Sequence, residues 1–323
     1  KDQIISRPIS NASGFSSFNE NGGEIRTRGL EVRLSGSPMK TKDFEWNTAF
    51  NFSSFRSAVT ELPQGVDQFV TATASVFSGS GGSNTVFFIA KEDGRVGDMY
   101  GTGFVEVEGQ TLYDSKGLPV QDPNLRLLGN YNPDFSLGFN NSFSYKNWDV
   151  NLLFDWRHGG TIVSRIKALG STSGVLKETL RGREGGGPDT RFVDGNGIIG
   201  DGLTNIGTPE NPNYVPNTTA VAASTFNNAF YDRGNEASAL YDASDVKLRQ
   251  LSIYYTFSEK TANSLGAENL KIGLVGSNLL LFTENPHFDP ELNAFQDRNI
   301  VQGVEDFSYP STRSFGVSLK TNF

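Results

Sequence analysis

The sequence of 323 residues has no cysteine, only two histidines and no run of 18 apolar residues. The absence of cysteine excludes disulfides, thiolate metal sites and cysteine nucleophiles. The absence of a long apolar run excludes a transmembrane helix, but a transmembrane strand needs only about 9–11 residues with apolar side chains at alternate positions. The net charge is -8 and the lysines and arginines do not cluster, which argues against a nucleic-acid surface.

Aromatic residues and glycines are abundant instead. Aromatic residues make up 12% of the chain, which also holds 36 glycines, whereas all hydrophobic residues together reach only 36%. Many aromatic residues in a polar, glycine-rich sequence are typical of β-strands and long loops. The mean hydropathy of -0.37 fits a soluble protein or a wide, water-filled barrel.

Apolar and polar residues alternate over several long segments. In residues 134–145 most odd-numbered positions are aromatic or leucine, and the even-numbered positions are mainly serine, glycine or asparagine. Further segments of this kind are Glu24–Leu34, Asp43–Ser54, Trp148–Arg157, Asp245–Phe257, Asn269–Phe282 and Phe315–Phe323. Each predicts a β-strand, and most are longer than the usual strand of about five or six residues. A change of parity within Asp245–Phe257 predicts a bulge near Arg249–Gln250.

The two ends of the apolar stripes are rich in aromatic residues, as in the girdles of a membrane-spanning barrel. These residues are Phe44, Trp46, Tyr145, Trp148, Trp156, Tyr254 and Tyr255. The polar positions would then face a water-filled lumen. Those that carry charge or an amide are Glu31, Arg33, Asn47, Asn51, Asp149, Asp155, Arg157 and Lys320.

The predicted strands are joined alternately by short and long connections. The short ones are Ser35–Lys42, Lys146–Asn147 and Ser258–Glu268, and the long ones are Ser57–Pro133, Gly159–Ser244 and Thr283–Ser311. Short periplasmic turns and long extracellular loops are typical of bacterial barrels. With residues 1–22 as a further outer loop, the chain holds about seven to eight strand passes. We therefore predict an all-β fold, the C-terminal part of a larger antiparallel transmembrane β-barrel, because such loops are too large for a narrow eight-stranded rim.

Several stretches resemble, in the same order, the SusC/RagA-type TonB-linked outer-membrane proteins, which are TonB-dependent transporters. These stretches are NGGEIRTRGLE (21–31), DFEWNTAFNFS (43–53), GNYNPDFSLGFNNSFSYKNWDVNLLFDWRHGG (129–160), SDVKLRQLSIYYTFS (244–258), NLKIGLVGSNLLLFTENPHFDPE (269–291) and YPSTRSFGVSLKTNF (309–323). Together they extend over nearly the whole chain.

The resemblance implies that residues 1–323 are the C-terminal portion of a 22-stranded barrel with a plugged lumen, the plug and N-terminal segments lying upstream. It implies active import of oligosaccharides or peptides across the outer membrane of a Gram-negative, Bacteroidetes-like bacterium. The implied partners are a SusD-like surface lipoprotein, the TonB complex through the upstream region, the rest of the barrel and plug, and the lipid and lipopolysaccharide of the membrane. Nucleic acid is not among them.

One loop contains residues suited to a calcium ion. Asp194, Asn196 and Asp201 lie among glycines, and Asp and Asn oxygens suit Ca²⁺. The segment lacks the spacing and the closing glutamate of an EF-hand. A glycine-rich extracellular loop with turn-forming Asp and Asn is the favoured interpretation, and we predict no other cofactor.

Catalytic motifs are absent from the sequence, and we predict that the chain is not an enzyme. Asp289 and Glu291 of NPHFDPE would form an acid–base pair only if both carboxyls faced one pocket, roughly 5–10 Å apart. A motif that shapes a loop near the barrel mouth is favoured. His158 and His287 are remote in sequence and give a zinc site little support. No GxSxG, HExxH or P-loop is present.

Three functions stay open at this point. A transporter barrel is favoured over a soluble or surface-attached all-β glycan-binding module, and both are favoured over a hydrolase. Aromatic residues in the long loops could stack on sugars or pack the loops together. They are Phe87, Phe88, Tyr100, Phe104, Tyr231 and Tyr241.

Overall fold

Seven strands form one antiparallel sheet in the computed structural model, which describes residues 4–8, 10–74, 85–183, 197–231, 235–296 and 299–322. The strands are β1 (Glu24–Lys40), β2 (Phe44–Glu61), β3 (Phe135–Tyr145), β4 (Trp148–His158), β5 (Asp245–Thr256), β6 (Asn269–Thr283) and β7 (Ser314–Asn322). Their order across the sheet follows their order in the chain, and each pairs with the one before it. The predicted all-β, antiparallel class is confirmed.

The register of the sheet places the predicted apolar stripes side by side. Phe143 of β3 lies opposite Trp46 of β2 and Val150 of β4. Leu152 of β4 lies opposite Leu251 of β5. Because side chains alternate along a strand, this register gathers the apolar residues on one face of the sheet and the polar residues on the other.

The predicted bulge is present in β5. Leu153 and Phe154 of β4 are adjacent, but their partners on β5, Gln250 and Leu248, are separated by Arg249. The extra residue moves the apolar stripe from even to odd positions without moving it to the other face. It also lets the Arg249 side chain reach the polar face.

The short and long connections leave the sheet at opposite ends, as predicted. The short ones are residues 41–43, 146–147 and 257–268, the last of which contains helix α3 (Glu259–Ser264). The long ones are residues 62–134, 159–244 and 284–313.

The first hairpin is longer than predicted at both ends. β1 runs to Lys40 and β2 to Glu61, beyond the expected limits at Leu34 and Ser54. The backbone ladder continues beyond the apolar stripe because polar cross-strand pairs also support it. Lys40 lies opposite Glu45, for example, and the two form a salt bridge of 3.2 Å.

The beginning of the chain forms a separate hairpin. Ile4–Pro8 pairs with Ser17–Asn21, with a 3-10 turn at Asn11–Ser13 between them. The two short segments satisfy each other's backbone groups, and neither joins the seven-stranded sheet. The described residues therefore contain seven strand passes, without an eighth.

The long connections have secondary structure of their own. The first contains the strands Gln68–Ala74, Val86–Lys91, Asp98–Phe104, Glu106–Val107, Gln110–Tyr113 and Gln121–Asn130. The second contains Thr161–Ser164, α1 (Arg165–Thr172), a 3-10 turn at Lys177–Leu180, Ile198–Ile199, Leu203–Asn205, Tyr214–Pro216, Ala220–Val221, α2 (Ala223–Phe230), a 3-10 turn at Glu236–Ala239, and Leu240–Asp242. The third contains Ala294–Gln296, Asn299–Val301 and Val304–Glu305. Within the described ranges, no helix has both the length and the apolar character needed to cross a membrane.

The three long connections pack into one unit, which we call the loop cap. Thr161–Ser164 of the second connection pairs with Leu240–Asp242 and also with Val304–Glu305 of the third. Leu203 of the second pairs with Leu112 of the first. The largest buried apolar cluster draws on all three connections and comprises Ala74, Val86, Phe88, Met99, Leu128, Val163, Ala168, Ala239, Ala294 and Val304. Burial of these side chains holds the cap together.

Candidate functional site

The seven-stranded sheet has one polar face. All eight polar residues predicted to face a lumen share it, since the register sets Arg33 opposite Asn51 and Asn51 opposite Gly138. Gly138 in turn faces Asp155 of β4. Serine, asparagine and charged side chains make this face hydrated rather than a packed core, and we call it the polar wall. The prediction of a polar face is confirmed.

The other face is apolar and open to its surroundings. Leu274 of β6 is 64% exposed, and Val317 of β7 is 72% exposed. A contiguous exposed apolar surface of this extent marks a region that contacts a membrane or another protein. Asn141, a polar residue in the middle of this face, accepts a hydrogen bond of 3.0 Å from the Trp46 indole N–H.

Aromatic side chains form a row at each end of this apolar face. At the end with the short turns the row comprises Phe44, Trp46, Phe143, Tyr145, Trp148, Tyr255 and Phe257. At the end with the long connections it comprises Phe52, Phe135, Trp156 and His158. Trp148 and Trp156 lie eight residues apart on β4, about 27 Å along the strand. Counted inclusively, this stretch has nine residues, which is within the about 9–11 residues that a tilted strand needs to cross a membrane.

Tyr254 is not part of these rows. The bulge in β5 puts Tyr255 on the apolar face and Tyr254 on the polar face, where the Lys271 and Lys320 ammonium groups lie 5.1 and 4.9 Å from its ring centre. Lys271 also forms an ion pair with Asp149 of β4. The polar wall near the short turns is therefore built on cation–π contacts and an ion pair.

At the opposite end of the polar wall, charged side chains from β4 and β5 meet the third long connection. We call this group the ionic cluster; it comprises Asp155, Arg157, Asp245, Lys247, Arg249, Asp289 and Glu291. Lys247 is buried, and its ammonium group lies 2.5 Å from an Asp289 oxygen and 2.6 Å from a Glu291 oxygen. Arg249 binds Glu291 and also Asp155, the latter at 2.7 Å.

The cluster explains the role of the NPHFDPE motif. Asp289 and Glu291 are both engaged by cations from β5, so they hold the third connection against the wall. Burial alone would raise the pKa of Glu291, but hydrogen bonds from Arg249 and Lys247 outweigh burial and lower it to about 2. Such a carboxylate holds no proton to donate near neutral pH. The geometry favours the loop-shaping interpretation over an acid–base pair.

The lowered pKa of Glu291 makes this attachment dependent on pH. Its stabilisation is complete above the ordinary value of 4.5 and is lost as the pH falls towards about 2. We expect Glu291→Gln to speed backbone hydrogen exchange in residues 285–293 at neutral pH, by up to about 100-fold, and to have little effect near pH 2. Glu284→Gln is the matched control because Glu284 is exposed. Equal exchange in the two variants at neutral pH would contradict the assignment.

Two buried glutamates connect the parts of the loop cap. Glu236 accepts hydrogen bonds from the Thr102 backbone N–H at 2.7 Å and hydroxyl at 2.8 Å, joining the second connection to the first. Glu305 accepts from the Ser164 hydroxyl at 2.9 Å, joining the third to the second. Burial raises the pKa of both carboxyls, although these hydrogen bonds oppose the rise.

Four of the six aromatic residues singled out in the long loops pack against other aromatic side chains of the cap; they are Phe88, Phe104, Tyr231 and Tyr241. The ring centres of Phe104 and Phe230 are 4.9 Å apart, and those of Phe88 and Tyr131 are 6.0 Å apart. Tyr241 contacts His287 and Phe288, and the Lys167 ammonium lies 4.1 Å from its ring centre. A role in stacking on sugar rings receives no support from these positions.

The candidate calcium loop is described only in part. Asp194 and Asn196 lie outside the described residues, whereas Asp201 is exposed. No group of three or more His, Asp or Glu side chains suited to a metal occurs in the part of the chain that the structure describes. The two histidines lie apart, His158 in an aromatic row and His287 beside Glu178 at 2.9 Å. The calcium site stays a prediction.

Some of these features could be predicted from the sequence pattern and others could not. The polar wall and the aromatic rows followed from alternation, but the ionic cluster did not. Lys247 and Asp289 are 42 positions apart in the chain. The one signal in the sequence that pointed to the cluster was the bulge. A change of parity beside Arg249 indicates that this arginine does not follow the regular alternation of its strand.

Comparison with known proteins agrees with this architecture. No family model matches the chain. The chain is 28% identical over its whole length to TonB-dependent receptor P3 of Formosa agariphila, and 26% identical to TonB-dependent receptor P26 of the same organism. It spans 31% of the length of each of these relatives. Its fold is similar to the RagAB peptide importer in the open-open state, with a TM-score of 0.63, 17% identity, and coverage of all of this chain and 31% of that chain.

The same fold occurs in a second structure of that assembly, the RagAB peptide transporter, with a TM-score of 0.59, 18% identity, and coverage of 99% of this chain and 32% of the other. The chain thus shares the fold of about a third of the RagAB peptide transporter chain. The resemblance of the chain to the SusC/RagA-type TonB-linked proteins is confirmed.

Proposed function

We propose that the chain forms the C-terminal portion of the β-barrel of a SusC-like TonB-dependent transporter that imports nutrients through the outer membrane. The observation that carries this proposal is the exposed apolar face with an aromatic row at each end. The apolar face contacts lipid, and the polar wall lines the lumen. The long connections and the loop cap lie outside the cell, while the short turns face the periplasm.

The edges of the sheet support a larger barrel. β1 and β7 are both outermost strands, and each pairs with only one neighbour in the seven-stranded sheet. In a bilayer every backbone N–H and C=O needs a partner, so open edges are not tolerated there. Further strands, in a barrel of 22 with a plug, satisfy these groups.

The similarity to known transporters supports a proposal for the partners. The curated relatives are TonB-dependent receptors, and the similar structures are of a peptide transporter named RagAB. By that similarity the barrel works with a SusD-like surface lipoprotein over its mouth and with the TonB complex, which acts on the upstream plug. The substrates are oligosaccharides or peptides, and the loop cap is the first part of this chain that they meet.

The test is to isolate outer membranes from the source organism and purify the protein in mild detergent. We expect it to require detergent and to elute as a large complex, with a surface lipoprotein identified by mass spectrometry. Co-purified sugar or peptide would name the substrate class. A water-soluble species that needs no detergent would reject the transporter and favour an all-β glycan-binding module.

A further inference from the structure

Two arginines face each other on the apolar side of the sheet, just beyond the outer aromatic row. Arg28 of β1 lies directly opposite Arg56 of β2. Arg56 has the same parity as Phe52, which contacts Phe135 in that row. Arg56 lies four positions after Phe52, or about 13 Å along the strand. The arginine pair therefore lies at the height of the lipid headgroups if the apolar face contacts lipid.

The pair lacks a compensating charge within the described residues. Two like charges directly opposite on neighbouring strands destabilise a sheet. Their cationic neighbours do have carboxylate partners: Arg26 pairs with Glu24 at 3.2 Å, and Arg95 lies 3.8 Å from Asp134. Arg28 and Arg56 are both exposed, and neither makes an ion pair or side-chain hydrogen bond with another described residue. An anion from outside the chain would remove the repulsion.

An apolar stripe runs from this pair towards the middle of the membrane face. Leu30 and Leu34 follow Arg28 on the same side of β1, and they are 58% and 63% exposed. Leu34 lies opposite Phe50 of β2. A cationic pair above exposed leucines matches an amphiphile with an anionic head and hydrocarbon tails, whereas a free anion would use only the upper half.

We propose that Arg28 and Arg56 bind a phosphate group of a phosphorylated lipid of the outer leaflet, whose acyl chains lie along Leu30 and Leu34. The two guanidinium groups offer forked N–H donors that match phosphate oxygens. The lipid neutralises the arginine pair and fixes the first hairpin at the membrane surface. This assignment rests on the proposed function, because it needs the apolar face in lipid and the long connections outside.

The test uses the whole protein, purified from outer membranes in mild detergent, and counts retained phosphorylated lipid by native mass spectrometry. We expect Arg28→Gln/Arg56→Gln to retain at least about tenfold less lipid than the unchanged protein, since charge-assisted bonds to phosphate are lost. Arg33→Gln is the matched control. Arg33 lies on the polar face of the same strand, opposite Asn51, and its replacement should leave lipid retention unchanged.

Two further arms identify the ligand. Enzymatically dephosphorylated lipid should be retained poorly by the unchanged protein, and millimolar inorganic phosphate should not replace the lipid because it has no tails. Equal retention by the double variant, equal retention of dephosphorylated lipid, or binding of inorganic phosphate alone would each overturn the proposal. If those results came from a protein that still required detergent, they would reject the lipid site but not the proposed transporter. A protein soluble without detergent would reject both.

Discussion

Replacing Leu152 with arginine is expected to destabilise the protein in a bilayer by about 2–4 kcal/mol, because that is the cost of an arginine at the lipid-facing midplane of a barrel. Leu152 lies midway between Trp148 and Trp156 on β4, so it sits halfway between the two aromatic rows. Its neighbours across the sheet are Asn141 and Leu251, on the apolar face.

The matched control is the next residue, Leu153. It is also leucine and also half-buried, but it faces the polar wall, opposite Asn140 and Gln250. Leu153→Arg should cost less than about 1 kcal/mol because lumen positions tolerate charge. Urea unfolding in lipid vesicles, followed by tryptophan fluorescence, measures both values. Similar losses in the two variants, or a larger loss for Leu153→Arg, would show that the apolar face does not lie in lipid.

The strands could be predicted because each carries its own evidence. Alternation within residues 134–145 is a local pattern, and it specifies both the strand and the face that each side chain joins. The bulge at Arg249 was predicted for the same reason, since a parity change is visible within one strand. The sequence could therefore give the sheet, its two faces and the alternation of its connections.

Contacts between distant segments could not be predicted in this way. Tyr254 was assigned to the wrong face, because the position of the bulge, and not the aromatic character of the residue, decides between Tyr254 and Tyr255. The pairing of Thr161–Ser164 with Val304–Glu305 joins segments about 140 residues apart. Each segment provides hydrogen-bond partners for the backbone groups of the other. Neither short segment has a sequence pattern that indicates which segment it pairs with.

The position of the third connection depends on charge rather than on a hydrophobic pattern. In the sequence, the short polar motif that contains Asp289 indicates only a turn. Its partner Lys247 is not distinguished there from the other polar residues of its strand. Their meeting depends on the register of the finished sheet and on the path of the third connection. The polar wall could therefore be predicted from local patterns, whereas the ionic cluster could be found only from the three-dimensional packing.

Lys247→Met is expected to loosen the third connection by about 3–5 kcal/mol, since removal of one partner leaves the other charges buried without compensation. Asp289 would lose its contact at 2.5 Å. Asp245 is fully buried, neither of its carboxylate oxygens has a hydrogen-bond partner among the described residues, and Lys247 is the nearest cation at 3.7 Å. Hydrogen exchange of residues 285–293 in the purified protein measures the loss.

Lys271→Met is the control for this experiment. Lys271 also pairs with an aspartate on the polar wall, Asp149, but both side chains are more than a quarter exposed. Its removal should cost about 1 kcal/mol or less, because solvent screens the charge left behind. Lys247→Met/Asp289→Asn should recover part of the stability lost in Lys247→Met, since it removes one of the unpaired buried charges. If Lys247→Met and Lys271→Met had equal effects on residues 285–293, the ionic cluster would not be what holds the third connection to the wall.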